Sequence, residues 1–481
     1  MLKYTSNGAH RASLQWFVAN CDEGTVVSGD GRRLVFYLVL LAALGPLRAF
    51  AQSAVNYVPL GGEAAGMGGA YTGISSDPTA AIYNPAGLAF TTSKSISSSF
   101  TSYSTLSTKI PHLVTGTDYK RTQSASPFFT GSSYQGPQIA PSWTFGVAFY
   151  DSWASSSKLH WSATGQDTLQ FPGQGKPQSF TAEFLDVDKI DESDLHLAGV
   201  AARAFGPLAI GFEFGAVRTT YTEEFYNQDH SGPIDWSSFG AKTPVYLDYI
   251  EHADTDGAGT GAQSGLGVLL RATPTLTLGA AVTTKVYLSQ SSTFADDFSS
   301  ATTDADGNQV STTTDGKTAP VPISRGSSIE TDHHPFASTT TLRTGVAVAA
   351  TETTQVDVDT IIVGPSPASQ LQERQHATAD LAVGMQSRVA AKYVLSLGAY
   401  TKFDGQRAES VHGLDHSGDF LDLYSGTTAL TYKFESFDVI LGGMFHDGVG
   451  HLRSRNPDNS NSQSISYHAQ GYTFALSIAS R

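Results

Sequence analysis

The residues able to do chemistry in this chain do not complete a reaction centre. Serines and histidines are numerous, yet no Gly-x-Ser-x-Gly nucleophile elbow, His-Glu-x-x-His zinc helix, Walker phosphate loop or Gly-x-Gly-x-x-Gly with its acidic partner stands in a usable setting. Asp332-His333-His334 has the donors to ligate a metal, but adjacent histidines in a Ser/Thr-rich loop are ordinarily solvated side chains. Asp304-Ala-Asp306-Gly-Asn308 opens like a calcium loop. Gln309 then stands at the sixth position, where glycine is needed for the turn, and Asp315 at the twelfth, where glutamate is expected. These patterns predict no enzyme, no catalytic residue, no resident metal and no cofactor.

The single cysteine, Cys21, precedes a hydrophobic stretch from Leu34 to Leu47. At 14 residues that stretch is shorter than the roughly 20 a membrane helix needs. Arg32-Arg33 before it and Ala49-Phe50-Ala51 after it give the charged, apolar and cleavage regions of a secretory signal, with Gln52 the expected mature N-terminus. The 31 residues ahead of the signal read as an over-extended start, and a signal anchor is the alternative reading of the stretch. No cysteine follows, which excludes a lipoprotein signal, a disulfide scaffold and a cysteine-ligated metal in the mature chain and suits an oxidising periplasm. Of 29 Lys/Arg and 44 Asp/Glu, the first 51 residues hold five and three, so the remainder carries 24 and 41 and a net charge of -17. Without a basic patch, nucleic acid is not an expected partner.

The elements that would carry any function are strands. Charged residues make up 15% of the chain, aromatics 11%, and mean hydropathy is -0.15. That is too polar for a bundle of membrane helices and too poor in charge for a soluble surface, where about a quarter of residues are charged. A barrel whose strands alternate an apolar lipid face with a polar lumen gives such an average. The alternation is visible. Leu276, Leu278, Ala280, Val282, Val286 and Leu288 share one face, broken by Thr284, against Thr275, Thr277, Gly279, Ala281, Thr283, Lys285 and Tyr287. Leu208, Ile210, Phe212, Phe214 and Ala216 oppose Gly211, Glu213 and Gly215, and Tyr472, Phe474, Leu476 and Ile478 oppose Gly471, Thr473, Ala475 and Ser477. Period two excludes a helix.

A β-sandwich also alternates, so the connections decide. Short turns near 205–207, 271–274, 350–354, 389–392 and 434–436 alternate with long polar loops at 222–262, 289–336, 364–376, 403–420 and 447–464. Outer-membrane barrels have this asymmetry, with tight turns on the periplasmic side. Fourteen strands follow, near 95–106, 129–140, 143–153, 194–205, 207–221, 263–272, 275–288, 337–349, 354–363, 377–388, 392–402, 421–433, 437–446 and 466–479. The even number puts both ends in the periplasm. Pro137 and Pro141 interrupt the second strand. Arg481 stands where many barrels end on an aromatic, with Phe474 and Tyr472 as the nearest substitutes. Trp143, Trp153, Tyr287, Tyr393, Tyr424, Tyr432 and Tyr472 are expected mostly in interfacial girdles, a minority lining the lumen instead.

Between the cleavage site and the first strand lies Gly61-Gly-Glu-Ala-Ala-Gly66-Met-Gly-Gly-Ala70-Tyr-Thr-Gly-Ile-Ser-Ser-Asp77-Pro-Thr-Ala80-Ala-Ile-Tyr-Asn84-Pro85-Ala86-Gly87-Leu88-Ala89. It resembles the opening of the FadL/TodX family of outer-membrane hydrophobic-compound (long-chain fatty acid) transporters. There a Gly/Ala-rich stretch, an Asp, an Ala-rich turn and Asn-Pro-Ala-Gly-Leu precede the barrel. Gly265 to Gly279 resembles the family's strand, turn and strand more weakly. Asn84-Pro85 should end any helix begun at Thr79–Tyr83.

The resemblance implies an all-β fold: a transmembrane antiparallel β-barrel of about 14 strands with an N-terminal plug. Residues 1–51 would be leader and signal, 52–93 the hatch, and 94–481 the barrel. Asn84, Pro85, Ala86 and Gly87 carry over as hatch-motif residues, and no ligand-contacting residue can be transferred. The implied function is passive diffusion of fatty acids or other hydrophobic compounds across the outer membrane of a Gram-negative bacterium. Expected partners are that substrate, outer-membrane lipid, lipopolysaccharide bridged by cations to acidic outer loops, and the barrel assembly machinery. The alternatives are a general porin, a secretion-associated barrel or a surface-binding barrel, with an outer-membrane lipase third.

Overall fold

The computed structural model describes residues 59–75, 77–91, 95–114, 117–125, 128–140, 143–169, 178–234, 244–306, 308–314, 317–320, 324–332, 336–365, 376–403, 420–454 and 463–480. The expected signal segment, Cys21 and His333-His334 lie outside them. Strands follow one another as β1 (Ser95–Val114), β2 (Thr117–Ala125), β3 (Phe128–Ala140), β4 (Trp143–Leu169), β5 (Gln178–Phe205) and β6 (Leu208–Ile234). Next come β7 (Val245–Arg271), β8 (Leu276–Thr303), β9 (Ser311–Thr314), β10 (Lys317–Pro320), β11 (Ser324–Asp332) and β12 (Thr339–Ala349). The last are β13 (Thr354–Val363), β14 (Thr378–Ala390), β15 (Tyr393–Lys402), β16 (Phe420–Lys433), β17 (Phe437–Ser454) and β18 (Gln463–Ser480).

Pairing closes a ring. From β8 the order runs through β12 to β18, then β1, β3, β4, β5, β6 and β7, which pairs with β8 again. Among the described residues this is a closed antiparallel barrel of fourteen strands, one for each strand expected from the sequence. β2 pairs with β1, β11 pairs with the far end of β8, and β9–β10 form a separate hairpin. Closure leaves the fourteen-stranded ring without a free edge, which an open sheet in hydrocarbon cannot do. Ser97 pairs with Ala479, so first and last strands meet at the short-turn end. The β3–β4 register shifts between Gln135 and Gln138, where Pro137 has no N–H to contribute to the ladder.

The faces divide as the alternation predicts. Phe212, Phe214, Tyr472 and Phe474 point outward at 51%, 70%, 52% and 53% exposure, while Glu213 and Thr473 on the same strands are buried. Such a band of exposed large apolar side chains is what lipid covers. Among the described residues no helix is long and apolar enough to cross a membrane.

One expectation is corrected. The stretches 222–262 and 289–336 were to be long loops, but β6 and β7 pair out to Ile234 and Val245, and β8 continues to Thr303. The outward face there turns polar, at Thr222, Glu224, Asp254 and Asp256, so the hydropathy signal ends while the backbone ladder does not. Tyr287 is one of the minority of these aromatics that line the lumen. Tyr393, Tyr424 and Tyr472 face outward, and Trp143 and Tyr432 are half-buried, but Tyr287 is buried on the lumen side, two residues along from Lys285.

Candidate functional site

Residues 59–91 fill the barrel. Helix α1 (Gly62–Gly66) packs on β15 to β18, and a 3-10 helix (Pro85–Phe90) packs on β4 to β7, so the segment touches opposite walls. Ala64, Met67, Ala70, Tyr71, Ala80, Ala86 and Leu88 are fully buried. Small side chains allow this packing, because the wall strands offer glycine in return. Gly279 pairs with Gly345, Gly211 with Gly267, and Gly384 with Gly398, each on the inward face. A Cβ at Gly279 would collide with the Thr72 carbonyl, and one at Gly345 with the Gly73 amide.

The four motif residues knit this segment together. A short helix α2 (Ala80–Tyr83) ends at Asn84, whose φ of -154° and ψ of 100° are extended, as the Asn-Pro step requires. Pro85 then starts the 3-10 helix, its missing N–H harmless at a first position. Asn84 is fully buried, with its side-chain amide fully used. Nδ2 donates to the carbonyls of Thr72 and of Val268 in β7, both at 3.1 Å, and Oδ1 accepts from the Ala86 amide at 3.2 Å. Ala86 fits beneath Gly211, and Gly87 lies against Ser75, where a side chain would strike the Ser75 carbonyl.

A second attachment had not been foreseen. Two inward carboxylates of β13 hold four consecutive backbone amides. Asp359 Oδ2 accepts from Tyr71 at 2.9 Å and Thr72 at 2.8 Å. Asp357 Oδ2 accepts from Gly73 at 3.0 Å and Ile74 at 3.2 Å. Both aspartates are fully buried. The signal for them lay in Val356-Asp357-Val358-Asp359, where two valines facing lipid oblige both carboxylates to face the lumen. Thr427 adds a bond to the Gly66 carbonyl at 2.9 Å, and Arg343 lies over the Tyr83 ring at 5.1 Å.

Above this segment, toward the long-loop end, is a cavity of about 210 Å³. One side is apolar: Leu60, Ile82, Ile361 and Val363. The other is a hydrogen-bonded network on Asp194, which meets Lys285 at 2.8 Å, His196 at 3.0 Å and Thr219 at 2.6 Å. Thr219 in turn meets the Tyr287 hydroxyl at 2.6 Å. Tyr150 stacks on His196 with centroids 4.6 Å apart and accepts from Gln263 at 2.7 Å. Arg343 and Lys402 complete the polar wall, Lys402 paired with Asp380 at 3.3 Å. The arrangement suits a small, largely apolar molecule with a polar end. Among the described residues no three His, Cys, Asp or Glu lie close enough together to hold a metal.

Outside the barrel, Asp304 Oδ1 accepts from the amides of Asp306 at 3.0 Å and Asn308 at 2.9 Å. These bonds, that from Asn308 foremost, hold its carboxyl below the usual carboxylate range. The Asp-Ala-Asp-Gly-Asn stretch thus has a local role, an Asx turn. Within the hatch, burial, and after it the nearby Asp77 carboxylate, push Glu63 up to about 7.

No family model and no curated protein matches this chain. Solved structures do. The toluene transporter TodX of Pseudomonas putida aligns at 13% identity and a TM-score of 0.52, covering 88% of this chain and 98% of that one. A TodX variant described as a monoaromatic hydrocarbon channel aligns at 16% identity and a TM-score of 0.51, covering 88% and 99%. A Pseudomonas aeruginosa FadL homologue aligns at 13% and 0.50, covering 90% and 99%. At that level of identity the likeness is one of fold: the plugged, fourteen-stranded barrel of this chain has the fold of these FadL-like and TodX structures.

Proposed function

We propose that this chain is an outer-membrane channel of a Gram-negative bacterium that passes hydrophobic compounds by diffusion through binding sites, without a coupled energy source or a catalytic step. The observation that carries the reading is the hatch: a buried segment fastened across the lumen beneath a cavity that is apolar on one side and hydrogen-bonded on the other. A lumen so filled opposes the general-porin reading. The fold neighbours, a toluene transporter and a monoaromatic hydrocarbon channel, support a cargo of monoaromatic hydrocarbon, and the family resemblance of the opening segment adds long-chain fatty acids. We assign residues 1–51 to a removed leader and signal, 52–93 to the hatch with Asn84, Pro85, Ala86 and Gly87 as its motif, and 94–481 to the barrel. Outer-membrane lipid, lipopolysaccharide and the barrel assembly machinery are the partners this placement implies.

The test is uptake of labelled toluene and oleate by cells with and without the gene, alongside planar-bilayer recording of the purified protein. The reading expects lost uptake of at least one compound in the deletion strain and almost no ion conductance. Large steady conductance steps, or unchanged uptake over a broad hydrophobic panel, would refute it.

A further inference from the structure

Three cations line the cavity above the hatch, Lys285, Arg343 and Lys402, and each is already engaged. Lys285 Nζ donates to Asp194 Oδ2 at 2.8 Å, with only 7% and 5% of the two side chains exposed. The same carboxylate meets His196 at 3.0 Å and the Thr219 hydroxyl at 2.6 Å, and the lysine lies 5.2 Å from the centre of the Tyr287 ring. Lys402 pairs with Asp380 at 3.3 Å, and Asp380 is fixed by the Phe403 amide at 2.7 Å. Arg343 turns to the floor, over the Tyr83 ring at 5.1 Å and near enough to Asp359 to act on its charge. Neutral groups complete the polar side. They are the half-buried Thr283, Thr339 and Thr341, and Gln263, whose side-chain amide donates to Tyr150 at 2.7 Å and Glu213 at 2.5 Å.

We infer that Asp194 sets the charge selectivity of this cavity: by holding Lys285 it closes the site to carboxylates and leaves it to neutral, mainly apolar molecules with one hydrogen-bonding end. The inference rests on the transport reading and narrows its cargo. A carboxylate only accepts hydrogen bonds, and it brings a charge. Held here, out of water, it would need a cation drawn away from Asp194 or Asp380, and the carboxylate so abandoned would be a buried charge without compensation. A hydroxyl or amide escapes that cost, because threonine hydroxyls and a glutamine amide both donate and accept. Volume limits the rest of the molecule. The cavity's volume of about 210 Å³ exceeds the roughly 150 Å³ that takes up benzene by little more than a substituent. Leu60, Ile82, Ile361 and Val363 form the side that would receive the ring. Phenols, benzyl alcohols and aromatic amides therefore suit the site, and the ionised head of a fatty acid does not. Asp194 acts through Lys285 and is a positioning residue.

Benzamide and benzoate have nearly the same shape and differ in charge, so their Kd values on the purified barrel, by titration calorimetry, read the selectivity directly. Wild type should bind benzamide about 100-fold more tightly than benzoate. Asp194→Asn, checked for heat-modifiable migration of the folded barrel, leaves Lys285 charged and without its carboxylate. Benzoate should then bind about 100-fold more tightly than to wild type, while benzamide changes by less than about threefold. Lys285→Met in the same chain should return benzoate to weak binding. Damage to packing alone weakens both ligands together and leaves their ratio unmoved. A wild-type ratio within about threefold of one, no binding of benzamide by the folded wild type, or an unchanged ratio in folded Asp194→Asn would each overturn the inference. Charge-selective binding by a protein whose deletion alters no hydrophobic uptake would keep the selectivity and defeat the transport reading. Uptake lost for oleate alone would do the reverse.

Discussion

Replacing Asp359 by alanine removes the acceptor of two buried backbone amides, Tyr71 at 2.9 Å and Thr72 at 2.8 Å. Hydrogen bonds to a charged group contribute about 1.5–3 kcal/mol each, so their loss alone is roughly 3–6 kcal/mol. Two effects offset part of it. Asp357 is near enough to repel Asp359, and that repulsion disappears. The space left by the carboxylate also admits a water able to accept from one amide. We expect about 2–4 kcal/mol, which raises the population with the Tyr71–Ile74 turn released by roughly 30- to 900-fold. Asp359→Asn keeps one carbonyl oxygen of the same shape and should show about half that loss. Hydrogen exchange of the peptide spanning residues 59–91 reads the effect, because local opening sets the exchange rate of those amides. Planar-bilayer recording should show brief openings in the alanine variant that wild type lacks. Exchange in Asp359→Ala within about threefold of wild type would refute the latch, since an opening so little changed requires that the two bonds contribute almost nothing.

Asn84→Asp loses the donor to Thr72 and Val268 and buries a charge against two carbonyl oxygens. It should destabilise the hatch by about 2–4 kcal/mol, more than Asn84→Ala, as compared by hatch proteolysis. Gly345→Leu drives a side chain into Gly73 and the Asp359 carboxylate, so the hatch should be displaced while the barrel still migrates as folded; a normally seated hatch would contradict the close approach. Lys285→Met leaves Asp194 without its closest cation and should lower thermal stability by about 3 kcal/mol, with Asp194→Asn in the same chain recovering most of it. Glu63 binds its proton more tightly folded than unfolded, with a folded pKa of about 7 against an ordinary 4.5. Hatch stability from this group is therefore full below pH 4.5 and falls as pH rises toward 7, and Glu63→Gln should flatten that slope in melts across the range.

Strand number, strand placement and the facing of side chains were set locally. Alternation along a strand has a period of two whatever it pairs with. Phe212 and Phe214 were therefore assignable to lipid, and Glu213 to the lumen, before any partner was known. The break after Tyr83 was equally local, because Pro85 restricts the backbone of Asn84 itself. Where outward residues turned polar, beyond Thr222 and Ser289, sequence lost sight of strands that continue. Hydropathy reports the solvent a face meets, and pairing in water leaves no such trace.

The candidate site was decided by tertiary structure. Asp359 lies 287 positions from Thr72 in the chain, and Val268 lies 184 from Asn84. Their meeting depends on ring closure and on register, which sets Gly279 beside Gly345 and so leaves room for the Thr72–Gly73 backbone. A spacing rule in sequence sees neighbours within an element. It cannot see which inward positions share a level in a closed barrel, and that level determines what holds the hatch and where the cavity above it lies.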